Sequence, residues 1–178
     1  MNTPICDFVE KYNSKKPMRF HMPGHKGREY LGFEKYDITE ITGADSLFEA
    51  SGIIKESENN ASMLFDDYTF YSCEGSSLSI RTMVYLATLW AKENKRKNKI
   101  LAGRNAHKSF LTACALCDTD ILWLSSDEKS YLSCNITAED IENAIKKENE
   151  LPCAVYITTP DYLGNIAELC TIAQVCRK

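Results

Sequence analysis

The sequence has no long hydrophobic run, and this lack excludes the simplest membrane architecture. None of its apolar segments approaches the about 20 residues that a helix needs to cross a bilayer. The first residues, MNTPICDFVEKYNSKKP, contain no apolar stretch followed by a small-residue cleavage site, which a secretory signal peptide would show. We therefore expect a cytoplasmic protein that has no membrane partner.

The sequence also lacks a large excess of charge of either sign. Its formal net charge is -4, from 21 lysines and arginines against 25 aspartates and glutamates, so the overall charge does not favour nucleic acid as a partner. The basic run KENKRKNK at 92–99 occupies the end of a predicted helix, where cations stay solvated and complement the helix dipole. Hydrophobic residues make up 44% of the 178 residues, which is typical of a globular protein. We predict no nucleic-acid partner.

Cysteine is not scarce, but its arrangement lacks the pattern of a metal or disulfide site. The eight cysteines are scattered, several of them among apolar residues, where reduced cysteine acts as a small hydrophobic residue. Cys114 and Cys117 form a C-x-x-C pair, but no second pair follows at zinc-finger spacing, and the surrounding segment has the pattern of an apolar helix. Zinc or redox chemistry at this pair is the alternative interpretation. We predict no metal site.

Residues 1–60 contain little of the long periodic hydrophobic pattern that builds a core. Turn signals recur there at Pro23-Gly24, Gly43 and Gly52, so we predict an irregular N-terminal arm that has short helical pieces and lies on another surface. From Tyr68 the pattern changes to short strand-like runs that alternate with helical ones. We therefore divide the chain into an arm and interface segment at 1–60 and the first part of a larger domain at 61–178.

The larger domain alternates strands with helices. The strand-like runs are YTFYS (68–72), KILAG (99–103), DILWLS (120–125) and CAVYITT (153–159). Helical runs lie between and after them at 78–98, 110–117, 137–150 and 166–178, and Thr137 with Asp140 resembles a capping box. This alternation predicts an α/β fold with a parallel sheet flanked by helices. Ligands of such sheets bind beyond the carboxyl ends of the strands, so we expect chemistry in the loops 74–77, 104–109 and 158–164.

Gly75, Ser76 and Ser77 stand between a predicted strand and the start of a long helix. The first-turn amides of a helix lack intrahelical partners, and the helix dipole places partial positive charge there. Glycine lets an anion approach the backbone, and two hydroxyl groups add donors, so the run favours a phosphate site. The alternative is an ordinary serine N-cap after a turn glycine.

His107 follows the predicted strand at 99–103 and is expected at the same edge of the sheet. An imidazole in that position can stack on a planar ring or donate a hydrogen bond. The alternative is a loop histidine that has no role in binding.

Five motifs occur in order along the chain. They are RFHMPGHKG (19–27), DITEITGADSLFEASGII (37–54), EGSSLSI (74–80), GRNAHKS (103–109) and ITTPDYLG (157–164). With these motifs the chain resembles the N-terminal portion of the Orn/Lys/Arg decarboxylase family, which are pyridoxal-phosphate enzymes of the aspartate-aminotransferase fold (fold type I). The likeness runs from about Lys16 to the last residue. It implies a partial aspartate-aminotransferase-like major domain, preceded by an irregular N-terminal arm.

The resemblance implies roles for individual residues. Gly75, Ser76 and Ser77 are similar to the segment that binds the phosphate of pyridoxal 5'-phosphate, and His107 to the histidine that stacks on its pyridine ring. Glu74 should then point away from the phosphate, since a carboxylate would repel it. The arm segment is similar to one that lies close to the active site at a dimer interface; its candidate residues are His21, Pro23, Gly24, His25 and Lys26.

The implied reaction converts a basic amino acid (arginine, lysine or ornithine) to the corresponding amine and CO2 in a homo-oligomer. The family's aspartate for the pyridine nitrogen and its Ser-x-His-Lys lysine, which binds the cofactor covalently, are not found in this sequence. Lys108 belongs by motif order to the earlier GRNAHKS element. We therefore expect a portion truncated before the cofactor lysine that is inactive alone. The alternative is a non-catalytic remnant that binds a phosphorylated ligand or a partner subunit.

We expect the isolated 178-residue chain to associate or aggregate. A doubly wound sheet that ends partway leaves an open strand edge and an uncovered apolar helix face. The last predicted helix carries such a face, formed by Ile166, Leu169, Ile172, Ala173 and Cys176. Sedimentation velocity over a range of concentrations measures the association, and a sharply monomeric sample that unfolds cooperatively would contradict the expectation.

Overall fold

The computed structural model describes residues 2–124 and 134–177, and the chain forms two compact units, Met1–Cys73 and Glu74–Lys178. The division at residue 60 that the sequence suggested falls inside a helix. Assigning the two units to an interface arm and a cofactor domain stays a prediction.

The first unit contains two helices joined by a long irregular segment. Helix α1 spans Pro4–Ser14 and helix α2 spans Ile53–Phe65. A proline opens α1, where its missing N–H costs nothing because first-turn amides lack helical partners. The two helices pack against each other, and the Asn2 side-chain amide donates a hydrogen bond to Glu56 on α2 at 2.6 Å.

The carboxylate of Asp45 caps the start of α2. It accepts hydrogen bonds from the backbone N–H groups of Ser51 (3.0 Å), Gly52 (2.7 Å) and Ile54 (3.0 Å), and from that of Ser46 (2.9 Å). These donors, Ser51 first, hold the pKa of Asp45 well below its usual range, because each of them stabilises the ionised form. The carboxylate therefore occupies the position that an external anion takes at other helix starts.

Ionisation of Asp45 makes the stability of the first unit depend on pH. Its folded-state pKa lies below the unfolded value of about 3.9, so its contribution is present above that value and is lost as the pH falls through the folded pKa. We expect Asp45→Asn to destabilise the chain at about pH 7 and to flatten the loss of stability toward about pH 3, measured by urea unfolding. Glu49→Gln, an exposed change in the same segment, is the matched control. A parental pH profile in the Asp45 variant would contradict this account.

The second unit is an α/β domain. Its elements in chain order are α3 (Ser76–Glu93), β1 (Lys99–Gly103), α4 (Lys108–Leu116), β2 (Asp120–Leu124), α5 (Ala138–Lys147), β3 (Ala154–Tyr156) and α6 (Leu169–Cys176). Within the described residues the strands form one parallel sheet in the order β2-β1-β3. Lys99 pairs with Asp120 and Ile100 with Ala154. The predicted parallel α/β architecture is confirmed.

Helices cover both faces of this sheet. Because side chains alternate along a strand, Ile100 and Ala102 of β1 face one cluster, completed by Val84 of α3 and by α4, while Leu101 faces another, built with α5 and α6. Phe110 of α4 is at the centre of the first cluster. Its ring stacks on Tyr156 at a centroid distance of 4.2 Å and meets Trp123 edge-on at 6.3 Å.

The run at 68–72 does not form the predicted strand. Tyr71 is held by α2 instead: its N–H donates to the buried carboxylate of Glu58 (3.0 Å), and its hydroxyl lies 2.8 Å from the Ser57 hydroxyl. Tyr68 is 90% exposed. The β-branched and aromatic composition favoured a strand, but side-chain bonds to a neighbouring helix satisfy this backbone in place of a sheet.

The last strand and the last helix are shorter than their sequence patterns. β3 keeps three of the seven residues predicted at 153–159, and α6 begins at Leu169 although the apolar spacing began at Ile166. The Ala167 N–H donates to the Thr159 hydroxyl at 3.0 Å, so this backbone is tied to the loop after β3 before the helix starts. Ser125, the last residue of the predicted strand 120–125, lies outside the described residues.

The helix α5 starts as its sequence predicted. The Thr137 hydroxyl accepts from the Asp140 N–H at 3.2 Å, and the Asp140 carboxylate accepts from the Thr137 N–H at 2.8 Å, so the capping box is complete. Across residues 2–124 and 134–177, no helix combines the length and the apolar character needed to span a bilayer.

We expect Phe110→Ala to destabilise the chain by about 3–5 kcal/mol, because a fully buried aromatic side chain is lost and a cavity remains. Urea unfolding followed by tryptophan fluorescence measures the change, since Trp123 contacts the Phe110 ring. Leu111→Ala, at the next position but 44% exposed, should cost much less. Equal losses in the two variants would show that Phe110 does not organise this core.

Candidate functional site

The carboxyl end of β1 leads through a tight loop into α4. Gly103 ends the strand, and a Cβ atom at this position would lie 3.1 Å from the Asn105 side-chain oxygen. Asn105 therefore folds closely over Gly103, and a larger residue in place of the glycine would displace the loop. His107 is the N-cap of α4, where its ring Nδ1 accepts the Ser109 N–H at 3.2 Å. The residue pattern around His107 did not predict this capping role.

A chain of hydrogen bonds connects His107 to the start of α3. The Ser109 hydroxyl lies 3.0 Å from His107 Nδ1 and 2.9 Å from the Ser77 hydroxyl. The loops 74–77 and 104–109, which are far apart in the sequence, therefore meet at one place. His107 is exposed and Ser109 is buried. The imidazole is therefore accessible to a ligand, whereas the serine bonded to it is not.

The start of α3 has no side-chain cap. Its N-cap is Gly75, whose φ of 64° lies in the region that favours glycine, and Ser76 and Ser77 are the first two helical residues. The alternative of an ordinary serine N-cap is therefore wrong for this turn. Among the described residues, and apart from the two chain neighbours of Gly75, no heavy atom lies within 4 Å of a Cβ placed on this glycine. The space beside this backbone can admit a ligand.

Glu74 precedes this turn and is bonded to Arg81 of α3. The Arg81 guanidinium contacts its carboxylate at 2.5 Å and also donates through Nε to the Ser77 carbonyl at 3.3 Å. The ion pair offsets the negative charge that would otherwise oppose an anion at the helix start. The expectation that Glu74 turns away from a bound phosphate stays a prediction.

The residues at this edge fit a ligand that has a phosphate and a planar ring. The first-turn amides of α3 and the hydroxyls of Ser76 and Ser77 are donors of the kind that bind phosphate, and the exposed His107 can stack on a ring. In the part of the chain that the structure describes, the buried side-chain nitrogen of Asn105 has no hydrogen-bond partner. An unsatisfied donor after β1 is a second sign that this edge has room for a polar group.

The arm residues form their own network in the first unit. His21 donates from Nδ1 to the Met22 carbonyl at 2.6 Å, so its Nε2 accepts from the Tyr12 hydroxyl at 2.7 Å. Lys26 donates to the His21 carbonyl at 2.6 Å. Pro23 and Gly24 make the turn between them, in which the Lys26 N–H bonds to the Pro23 carbonyl at 3.1 Å.

His25 has the opposite hydrogen-bonding direction. Its Nδ1 accepts the Gly27 N–H at 3.0 Å, and its Nε2 faces the Asp37 carboxylate at 3.1 Å. Arg19 holds this turn in place by donating to the carbonyls of residues 34, 35 and 37. All of these contacts lie within the first unit, so the closeness of the arm to His107 or to a partner subunit stays a prediction.

Two other sequence candidates have ordinary surroundings. Lys108 is the exposed first residue of α4. Cys114 is buried, and burial raises the pKa of its thiol to about 11, so the protonated thiol predominates and neither redox chemistry nor metal binding is favoured. Within residues 2–124 and 134–177, no group of three or more histidine, cysteine or acidic side chains could hold a metal ion.

The second unit is thus an α/β domain whose sheet edge brings an uncapped helix start beside an exposed histidine. The fold of the chain is similar to that of the constitutive lysine decarboxylase of E. coli, with a TM-score of 0.62 and 19% identity over 89% of this chain and 25% of that one. A SepCysS–SepCysE N-terminal domain complex matches with a TM-score of 0.56 and 12% identity, over 74% of this chain and 34% of that one. These likenesses confirm the predicted aspartate-aminotransferase-like fold.

The sequence model for the major domain of the Orn/Lys/Arg decarboxylases matches residues 3–178, and the chain belongs to this family. Arginine decarboxylases of Bacillus cereus and Bacillus subtilis are each 29% identical to it over 97% of the chain. The arginine decarboxylase of Halalkalibacterium halodurans is also 29% identical, over 98%. The chain spans 39%, 36% and 37% of these three relatives, respectively.

Proposed function

We propose that this chain forms the N-terminal part of the cofactor site of a pyridoxal-phosphate-dependent decarboxylase of basic amino acids. The observation that carries the proposal is the hydrogen-bond chain from Ser77 through Ser109 to His107, because it brings phosphate donors and a stacking ring within reach of one small molecule. Family membership supplies the reaction class. The relatives named arginine decarboxylase favour arginine over lysine and ornithine as the substrate.

The start of α3 would hold the phosphate. Its first-turn amides, together with the hydroxyls of Ser76 and Ser77, donate to phosphate oxygens, and the helix dipole favours the negative charge. Gly75 lets the phosphate approach the backbone because it has no Cβ and the space beside it is open. The Arg81–Glu74 ion pair limits repulsion from the nearby carboxylate.

His107 would orient the ring of the cofactor. Its own Nδ1 is engaged by the Ser109 N–H, so the ring is fixed in direction and presents a face or its Nε2 edge to the ligand. When bound, the cofactor supplies an electron sink for the charge left at the amino-acid α-carbon by loss of CO2. The residues of this chain bind and orient; we assign none of them a proton transfer.

These residues do not supply every group that the reaction needs. The aspartate and the cofactor lysine implied by the family resemblance are not found in a matching motif of this sequence, so the 178-residue chain should bind the cofactor without turnover. A basic amino-acid substrate, a homo-oligomer with the arm residues at its interface and a cytoplasmic location belong to the same proposal.

Titration of the chain with pyridoxal 5'-phosphate tests this function. We expect weak binding that Ser77→Ala and His107→Asn each reduce by about tenfold, because each removes one ligand contact. Asparagine keeps the helix N-cap, so the His107 variant separates loss of the ring from loss of α4. Calorimetry measures the affinities.

Ser79→Ala, an exposed change on the same helix, is the matched control and should bind like the parent. Borohydride treatment followed by mass spectrometry should detect no cofactor fixed to a lysine. A parent chain that does not bind the cofactor would contradict the proposal, and turnover of arginine by the chain would contradict its claim of inactivity. Binding of inorganic phosphate as tight as that of the whole cofactor would favour a non-catalytic phosphate-binding remnant.

A further inference from the structure

Ser109 was not among the predicted site residues, but it contacts both of the side chains on which the proposed function depends. It is 7% exposed. Its hydroxyl lies 2.9 Å from the Ser77 hydroxyl and 3.0 Å from His107 Nδ1, and its own N–H lies 3.2 Å from the same nitrogen. Ser109 therefore touches Ser77 through its side chain and His107 through both its side chain and its backbone.

The backbone contact determines where the imidazole carries its hydrogen. A peptide N–H can only donate, so Nδ1 of His107 must accept when the ring is neutral. The hydrogen of the neutral ring therefore lies on Nε2, at the exposed side of a residue that faces solvent. His21 has the opposite form, with its hydrogen on Nδ1, because its partner there is a carbonyl oxygen.

The direction of the hydroxyl bonds depends on what else Ser77 contacts. The Ser109 hydroxyl has one hydrogen and two acceptors within reach, Nδ1 of His107 at 3.0 Å and the Ser77 oxygen at 2.9 Å. If it donates to Nδ1, Ser77 donates to the Ser109 oxygen; if it donates to Ser77, the Ser77 hydrogen is left for another acceptor. An anion at the start of α3 favours the second arrangement because it accepts the Ser77 hydrogen, and in a partly buried site each bond of such a chain strengthens the next.

We propose that Ser109 is a positioning residue that couples the phosphate-binding turn of α3 to the ring-stacking histidine. It fixes His107 through its N–H and orients the Ser77 hydroxyl through its own hydroxyl. This inference rests on the proposed function, since it concerns how the same site is prepared for the phosphate and ring of one ligand.

A double-mutant cycle in the 178-residue chain tests the coupling. The parent, Ser77→Ala, Ser109→Ala and the double variant are titrated by calorimetry with pyridoxal 5'-phosphate. We expect Ser109→Ala to weaken binding by about fivefold and Ser77→Ala by about tenfold. The double variant should bind no more weakly than Ser77→Ala, because Ser109 acts through Ser77. If the double variant loses affinity by the product of the two single-variant factors, the two serines act independently and the proposal is overturned.

Imidazole nitrogen shifts, followed by NMR as the pH is raised until they no longer change, give a readout that does not depend on the ligand. His107 and His25 should show the hydrogen on Nε2 and His21 on Nδ1, so the chain contains references for both forms. Ser109→Ala keeps the backbone N–H and should keep the His107 form. A His107 hydrogen on Nδ1 in the parent, or a change of form in Ser109→Ala, would overturn the proposed direction.

Further variants separate the possible causes of weaker binding. Ser109→Cys, which has a similar shape but a weaker donor, should bind between the parent and Ser109→Ala, and it replaces that variant if alanine prevents folding. An affinity of folded Ser109→Cys equal to that of Ser109→Ala would count against the hydroxyl. If the parent binds no cofactor, the proposed function fails together with this inference. If the parent binds and the losses multiply, only the inference about Ser109 fails.

Discussion

The hydrogen bond between the Ser77 and Ser109 hydroxyls connects the first turns of two helices at one edge of the sheet. Both α3 and α4 cover the same face of β1, and in a parallel α/β arrangement their starts lie where the strands end. The proposed binding of a phosphate and a ring by one site depends on this proximity. If the two starts were separated, an uncapped turn and an exposed histidine would be two unrelated surface features.

The helix starts of this chain differ in how they satisfy their unpaired amides, and the difference marks the site. In α2 the carboxylate of Asp45 accepts them, in α4 the imidazole of His107, and in α5 the hydroxyl of Thr137. The start of α3 has no side-chain cap, and neither have α1 and α6. Among these three, α3 begins with a positive-φ glycine beside open space and with two hydroxyls. An external anion can therefore accept hydrogen bonds from the first-turn amides of α3, as the Asp45 carboxylate does at the start of α2.

Much of the fold followed from local pattern because the second unit obeys simple periodicities. The apolar runs at 99–103 and 120–124 are strands in which successive side chains face opposite layers, and Thr137 with Asp140 opens a helix as their spacing predicted. The strand predicted at 68–72 was wrong. Its composition suits a sheet, but Glu58 and Ser57, more than ten residues earlier, satisfy its backbone and its tyrosine hydroxyl. The strand propensity of a segment makes a strand possible, but the contacts of the segment with the rest of the fold determine whether the strand forms.

The amino-acid sequence by itself determined the family, the order of strands and helices in the second unit, and the identity of Gly75, Ser76, Ser77 and His107 as candidates, because these are properties of residue type and spacing along the chain. Only the tertiary structure decided that His107 caps a helix, that Ser77 has no capping role, and that Ser109 joins the two. Ser77 and Ser109 are 32 residues apart. The distance and direction of a bond between such residues depend on how two helices pack on one sheet, and no local pattern records that packing.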